Sequence, residues 1–172
     1  MLNLAQLAHW VEHLECQGAA TTAIRGISTD SRQIEPGQLF IALVGEHFDG
    51  HDYALHVAEM GAAVLLLSQK IEGLKLPYLL VKDTKIALGQ LAKAWRHQFN
   101  IPLIGITGSN GKTTVTQMVA SILKADAADA AWSTKGNLNN DIGVPLTLLG
   151  LTATHKCAVI EMGMNHPGEI AY

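Results

Sequence analysis

The stretch PLIGITGSNGKTTVTQMVASIL, residues 102–123, constrains this chain more than any other. Its first five residues form a short apolar run that predicts a buried strand, and residues 107–111 form a tight turn of small residues. A helix follows, because Val115, Met118, Val119, Ile122 and Leu123 recur at i, i+3, i+4, i+7 and i+8 and share one face. Strand, glycine turn and helix together make a context in which backbone N–H groups converge on a phosphate, with the helix dipole favouring its charge. Lys112 would reach the terminal phosphates of a nucleotide, and the Thr113 hydroxyl would be a magnesium ligand. The strict G-x-x-x-x-G-K-[ST] spacing is not met, since Ile106 stands five residues before Gly111 and the glycines are Gly105, Gly108 and Gly111. A glycine turn without a ligand is the alternative. A lysine and two threonines opening a helix directly after a buried strand favour phosphate binding.

The preceding segments predict an α/β layer structure. Leu4, Leu7, Val11 and Leu14 give the N-terminus an amphipathic helical stripe. AIRGIST and QLFIALVG read as short strands, with IEPG as a turn before the second. A helix over about residues 53–60 leads through Gly61 to the strand AAVLLLS, and PYLLVK is another. In DTKIALGQLAKAWRHQF, Asp83 or Thr84 can cap a helix whose stripe is Leu88, Leu91, Ala92, Trp95 and Phe99. That helix joins two domains, placing the first at residues 1–82 and the second at 83–172.

Composition narrows the partners. The chain has 172 residues, is 48% hydrophobic and carries twelve basic against fifteen acidic side chains, which suits a globular protein and not a disordered one. Without a basic run there is no electrostatic footprint for nucleic acid or an anionic membrane. Cys16 and Cys157 form no C-x-x-C pair, so a disulfide framework or cysteine zinc site is not expected and a reducing, cytoplasmic setting fits. The N-terminus lacks a basic region and cleavage signature, and no apolar run approaches the roughly 20 residues that span a bilayer.

Beyond the glycine loop, STKGNLNNDIGVPLTLLG is an asparagine-rich loop turning into a short apolar helix near Pro145. The strand at residues 157–160 ends at Glu161. An acid at the carboxyl end of a parallel strand beside a phosphate loop suits a metal-directed carboxylate, the alternative being a solvated strand-end charge. Asn137, Asn139 and Asn140 admit a plain turn reading, and Asn165 and His166 either border a site or are solvated. Ser28, Thr29, Asp30, Ser31 and Arg32 read by themselves as a capped turn. His47, His51 and His56 tempt a zinc reading, but Gly50 followed by a helix start argues for a surface loop. Only about 60 residues follow the glycine loop, fewer than a phosphate-binding α/β domain needs. GEIAY resembles a helix start, so a portion of a longer enzyme is expected.

With these segments placed, the chain resembles the Mur ligases, ATP-dependent amide-forming enzymes of peptidoglycan precursor synthesis. Four stretches in order carry the likeness: STDSRQIEPGQLFIALVGEHFDGHDYA, GITGSNGKTT, GNLNNDIGVPLTLL and VIEMGMNHPGEIA. The last two are similar to the branch that adds D-Ala-D-Ala to UDP-MurNAc-tripeptide; a MurE-type ligase and a non-catalytic UDP-sugar-binding module are the competing readings. The resemblance implies a small N-terminal α/β UDP-binding domain, then the beginning of a parallel-sheet ATPase domain with a phosphate loop. It implies ATP and Mg2+ as cofactors and an acyl phosphate as intermediate. Lys112 and Glu161 would be catalytic, and Thr113 and Glu161 would hold the metal. Thr107, Gly108, Ser109, Asn110, Gly111, Lys112, Thr113, Thr114, Asn137 and Asn140 would contact the nucleotide. Ser28, Ser31, Arg32, Asn139 and His166 would lie toward the UDP-linked substrate. A monomeric full-length enzyme is implied. For the shorter chain, no turnover is expected, and an uncovered strand edge and apolar face after residue 100 would favour self-association.

Overall fold

Consecutive apolar residues, rather than alternating ones, mark strands buried on both faces, and they organise the N-terminal part of the protein. The computed structural model describes residues 2–164. Asn165, His166 and the helix start expected at GEIAY lie outside them. The chain divides within one helix into two units, Met1–Leu91 and Ala92–Tyr172.

In the first unit, strand β1 (Leu2–Asn3) runs into helix α1 (Leu4–Trp10). Asn3 and Gln6 form a capping box, each side chain accepting from the other's backbone N–H at 2.9 and 3.1 Å. Then come β2 (Glu15–Gln17), β3 (Ala23–Ile24), β4 (Gly26–Ser28), β5 (Gln38–Ile41), α2 (Ala54–Glu59), β6 (Val64–Leu67) and β7 (Tyr78–Leu80). The main sheet has the order β2-β7-β6-β5-β4, parallel from β4 to β7, with β2 antiparallel on β7. Phe40, Leu65, Leu67, Tyr78 and Leu80 pack on one face with Ala54 and Val57 of α2. The alternate residues Leu39, Ile41, Leu66 and Leu79 are fully buried too.

Two expectations change here. The N-terminal helix is shorter than its stripe predicts: Leu4, Leu7 and Val11 are buried, but Leu14 is exposed. The reason is tertiary, since the Leu14 N–H donates to Leu80 O at 2.7 Å and draws the chain into the sheet as β2. The single strand read in AIRGIST splits at Arg25, whose N–H donates to Gly37 O; β3 pairs with β1 and β4 with β5.

Helix α3 (Thr84–Arg96) contains the division between units. Asp83 Oδ1 accepts from Lys85 and Ile86 N–H at 2.7 and 3.0 Å, capping it, and the buried Thr84 hydroxyl donates to Ala42 O. In the second unit, β8 (Leu103–Ile106), α4 (Lys112–Ala127), β9 (Ala131–Ser133), α5 (Gly143–Leu149) and β10 (Cys157–Glu161) follow. The order is β8-β10-β9, all parallel. Leu151, Ala158 and Ile160 form its core with Trp95, Phe99, Trp132 and Leu148. The stripe expected on α4 is half correct. Thr116 is buried and Val119 and Leu123 are partly covered, whereas Val115, Met118 and Ile122 are exposed, as is Ile104 on the edge strand β8. Among the described residues no helix is long and apolar enough to cross a membrane.

Candidate functional site

The parallel register explains why Glu161 meets the glycine loop. Glu161 pairs with Ile106, the last residue of β8 before the turn, so both strands deliver their carboxyl ends to one place. The turn itself, residues 107–111, is exposed. Gly111 precedes α4 at φ 74°, a left-handed conformation that glycine adopts without steric cost, and no side chain caps the helix. The first-turn N–H groups of Lys112, Thr113 and Thr114 therefore have no intrahelical partner and are positioned to donate to an anion. Lys112 Nζ donates to Gly108 O at 2.8 Å, lying back across the loop.

Glu161 is 2% exposed. Its Oε1 accepts from Thr113 Oγ1 at 3.0 Å and from Asn139 Nδ2 at 2.7 Å, and its backbone N–H donates to Thr134 Oγ1 at 2.8 Å. A buried carboxylate holding the hydroxyl that opens a helix is a donor set of hard oxygens, the kind Mg2+ takes. Of the three asparagines, Asn139 belongs to this cluster rather than to a separate surface. Asn140 Oδ1 accepts from Gly143 and Ile142 N–H at 2.8 and 3.3 Å and starts α5. Asn137 is exposed and its carbonyl accepts from Asn139 N–H. Asn139 and Thr134 as supports of Glu161 escape the sequence reading, because nothing local reveals that their loop returns to β10.

The first unit carries a cleft of about 480 Å³ lined by Thr29, Asp30, Ser31, Arg32, Phe40, Phe48, Gly50 and Tyr53. Asp30 organises its rim. Its carboxylate accepts Arg32 Nε and Nη2 at 2.9 and 2.8 Å, and also Arg32 N–H at 3.0 Å. The Arg32 guanidinium is the main reason the Asp30 carboxyl is held down at about 2. The Arg32 side chain remains 84% exposed in this pair. Ser28 does not line the cleft; its hydroxyl donates to Asp30 O and accepts Asp30 N–H at 3.1 Å, shaping the turn. Ser31 does line it. Phe48 and Tyr53, 56% and 46% exposed, are aromatic walls the sequence reading missed. Their signal was two aromatics within the glycine-flanked stretch GEHFDGHDY.

That stretch is held by a buried post. His51, 1% exposed in its side chain, donates from Nδ1 to Asp49 Oδ1 at 2.5 Å and accepts the Ser68 N–H on Nε2 at 2.9 Å. Gly50 lies so close to the end of β5 that a Cβ would come within 2.9 Å of Ala42 Cα and the Leu43 backbone. His47 and His56 are exposed, and among the described residues no three His, Cys, Asp or Glu side chains group to hold a metal.

Residues 23–96 match the Mur ligase family catalytic domain and residues 106–172 the Mur ligase middle domain. The chain is 47% identical to the UDP-N-acetylmuramoyl-tripeptide–D-alanyl-D-alanine ligase of Haemophilus influenzae over 99% of its own length and 38% of that protein. It is 49% identical to the ligase of the same name from Escherichia coli over 92% of its length and 34% of that protein. A crystal structure of MurF from Acinetobacter baumannii superposes with a TM-score of 0.80 at 44% identity, covering 86% of this chain and 32% of that one. MurF from Thermotoga maritima in complex with ADP gives 0.77 at 31% identity, covering 86% and 34%. A 2,6-diaminopimelate-adding ligase, at 17% identity and a TM-score of 0.61, shares the fold. The chain thus spans about a third of the length of these relatives. Two successive Mur ligase domains, in the order and with the folds of the MurF structures, place this chain in the Mur ligase family.

Proposed function

We propose that this chain supplies the UDP-substrate cleft and the ATP phosphate and Mg2+ site of a cytoplasmic ligase that adds D-Ala-D-Ala to UDP-MurNAc-tripeptide. The observation that carries the reading is the cluster of Thr113, Glu161 and Asn139 beside the uncapped start of α4. Identity of 44% to a MurF structure, against 17% to a diaminopimelate-adding ligase, favours the D-Ala-D-Ala branch over a MurE-type one. Residues 1–82 serve the UDP-linked substrate and residues 83–172 the nucleotide.

In that reaction a substrate carboxylate oxygen attacks the γ-phosphorus of ATP, breaking its bond to the β-γ bridging oxygen and leaving ADP and an acyl phosphate. The amine of D-Ala-D-Ala then attacks the acyl carbon, phosphate departs with the bonding pair, and the amine loses a proton. Both reactants of the first step are anions, so the site must neutralise charge and align groups. The N–H groups of residues 110–113 would cradle the β- and γ-phosphates. Lys112 exchanges the Gly108 carbonyl for a phosphate oxygen. Thr113 and Glu161 are the residues that would hold Mg2+, which supplies further charge neutralisation when bound. In the first unit, Ser31 and Arg32 present a hydroxyl and a guanidinium to the diphosphate, while Phe48 and Tyr53 offer faces to the base.

Calorimetric titration tests both halves separately. Mg–ADP is expected to bind the chain and to be lost in Lys112→Ala; UDP-MurNAc-tripeptide is expected to bind and to weaken at least tenfold in Arg32→Ala, a charge-assisted pair being worth about 1.5–3 kcal/mol. Failure of the unaltered chain to bind either ligand would refute the proposal.

A further inference from the structure

We propose that Asn139 is a positioning residue that sets how Glu161 coordinates a cation, and thereby the preference of the site for Mg2+ over Ca2+. The inference rests on the nucleotide and cation reading above. Glu161 Oε1 accepts two hydrogen bonds, from Asn139 Nδ2 at 2.7 Å and Thr113 Oγ1 at 3.0 Å. Two donors fill the lone-pair positions of that oxygen. Oε2 accepts no hydrogen bond among the described residues. The carboxylate therefore offers a cation one oxygen and not a chelating pair. Mg2+ requires six ligands at short, near-octahedral positions, whereas Ca2+ accepts six to eight and readily takes a carboxylate through both oxygens. A carboxylate reduced to one free oxygen suits the smaller ion.

Asn139 is itself held in place. Its carbonyl accepts Gly163 N–H at 2.6 Å and its N–H donates to Asn137 O at 2.8 Å. A Cβ on Gly163 would lie 3.2 Å from Asn139 O and 3.4 Å from its Cγ, so this glycine lets the loop close on the segment that leaves β10. Thr134 plays a different part: its hydroxyl takes the Glu161 backbone N–H and touches neither carboxylate oxygen.

The test is calorimetric titration of the chain with ADP in saturating Mg2+ and in saturating Ca2+, for the unaltered protein, Asn139→Ala and Thr134→Val. The ratio of the two Kd values is the readout that loss of structure alone would not move. Asn139→Ala is expected to reduce the preference for Mg2+ by about tenfold, the scale of effects from groups that orient a metal ligand. Thr134→Val is expected to weaken both complexes alike and leave the ratio unchanged. Equal weakening by Asn139→Ala, with the ratio preserved, would overturn the inference and leave the proposed function standing. No binding by the unaltered chain would overturn both. Infrared spectra of the chain with its glutamate carboxylates 13C-labelled probe the coordination with Asn139 and Thr134 both in place. Comparison with Glu161→Gln isolates the Glu161 band, whose stretch splitting is expected to widen with Mg2+–ADP, as one-oxygen coordination requires. A narrowed splitting overturns the inference.

Discussion

Replacing His51 by alanine removes the post under the loop that walls the cleft proposed for the UDP-linked substrate, and the structure sets the size of the effect. The ring is 1% exposed and bonded at both nitrogens. Without it the Ser68 N–H loses its acceptor, and at this half-buried position the stranded donor costs about 1–2 kcal/mol, the lower part of the usual range. Asp49 is a third exposed, so water replaces its lost partner at little cost. The vacated ring volume adds about 1–2 kcal/mol, the low end for large-to-small changes in a packed interior. Together these give a destabilisation of about 3 kcal/mol in the first unit. Denaturant unfolding measures it as a lower midpoint, and hydrogen exchange localises it to the Ser68 amide, which should lose protection. Because Phe48, Gly50 and Tyr53 hang from the same post, UDP-MurNAc-tripeptide binding should weaken as well. A loss below about 1 kcal/mol, with the Ser68 amide still protected, would refute the reasoning.

Three further outcomes are expected. The Asp30 carboxyl is depressed to about 2 from 3.8 by Arg32, so the unfolded chain binds this proton first on acidification. Its stabilisation is complete above about pH 4 and is lost as pH falls through about 2; Asp30→Asn should flatten that part of the stability profile. Thr116 buries its hydroxyl without a partner among the described residues, so Thr116→Val, which keeps the shape, should raise stability by about 1 kcal/mol in thermal unfolding. The apolar stripe of Val115, Met118 and Ile122 faces solvent, and Met118→Lys with Ile122→Glu should lower any concentration-dependent association seen by sedimentation.

Much of the fold was legible because it depends on local patterns. The strands at Val64–Leu67 and Tyr78–Leu80 are unbroken apolar runs, and α3 carries both its cap and its stripe. The errors share one cause. Periodicity reveals that a helix has an apolar face but not which part of a wide face finds a partner, so Val115, Met118 and Ile122 look like core and are not. Strands β2, with the sequence ECQ, and β9, with AWS, contain no apolar run, and they exist because a neighbouring strand offers hydrogen bonds.

The glycine loop ahead of α4 is written in its own residues. Small residues, a glycine at the left-handed position, and a lysine and threonine opening a helix specify that geometry through backbone sterics alone. What stands beside that loop depends on how the sheet assembles. Thr113 and Asn139 lie 48 and 22 residues from Glu161, and they meet because β10 inserts between β8 and β9 with Glu161 level with Ile106. Strand order and register are settled by which apolar faces can be buried together, and that competition involves the whole sheet rather than any short stretch of residues.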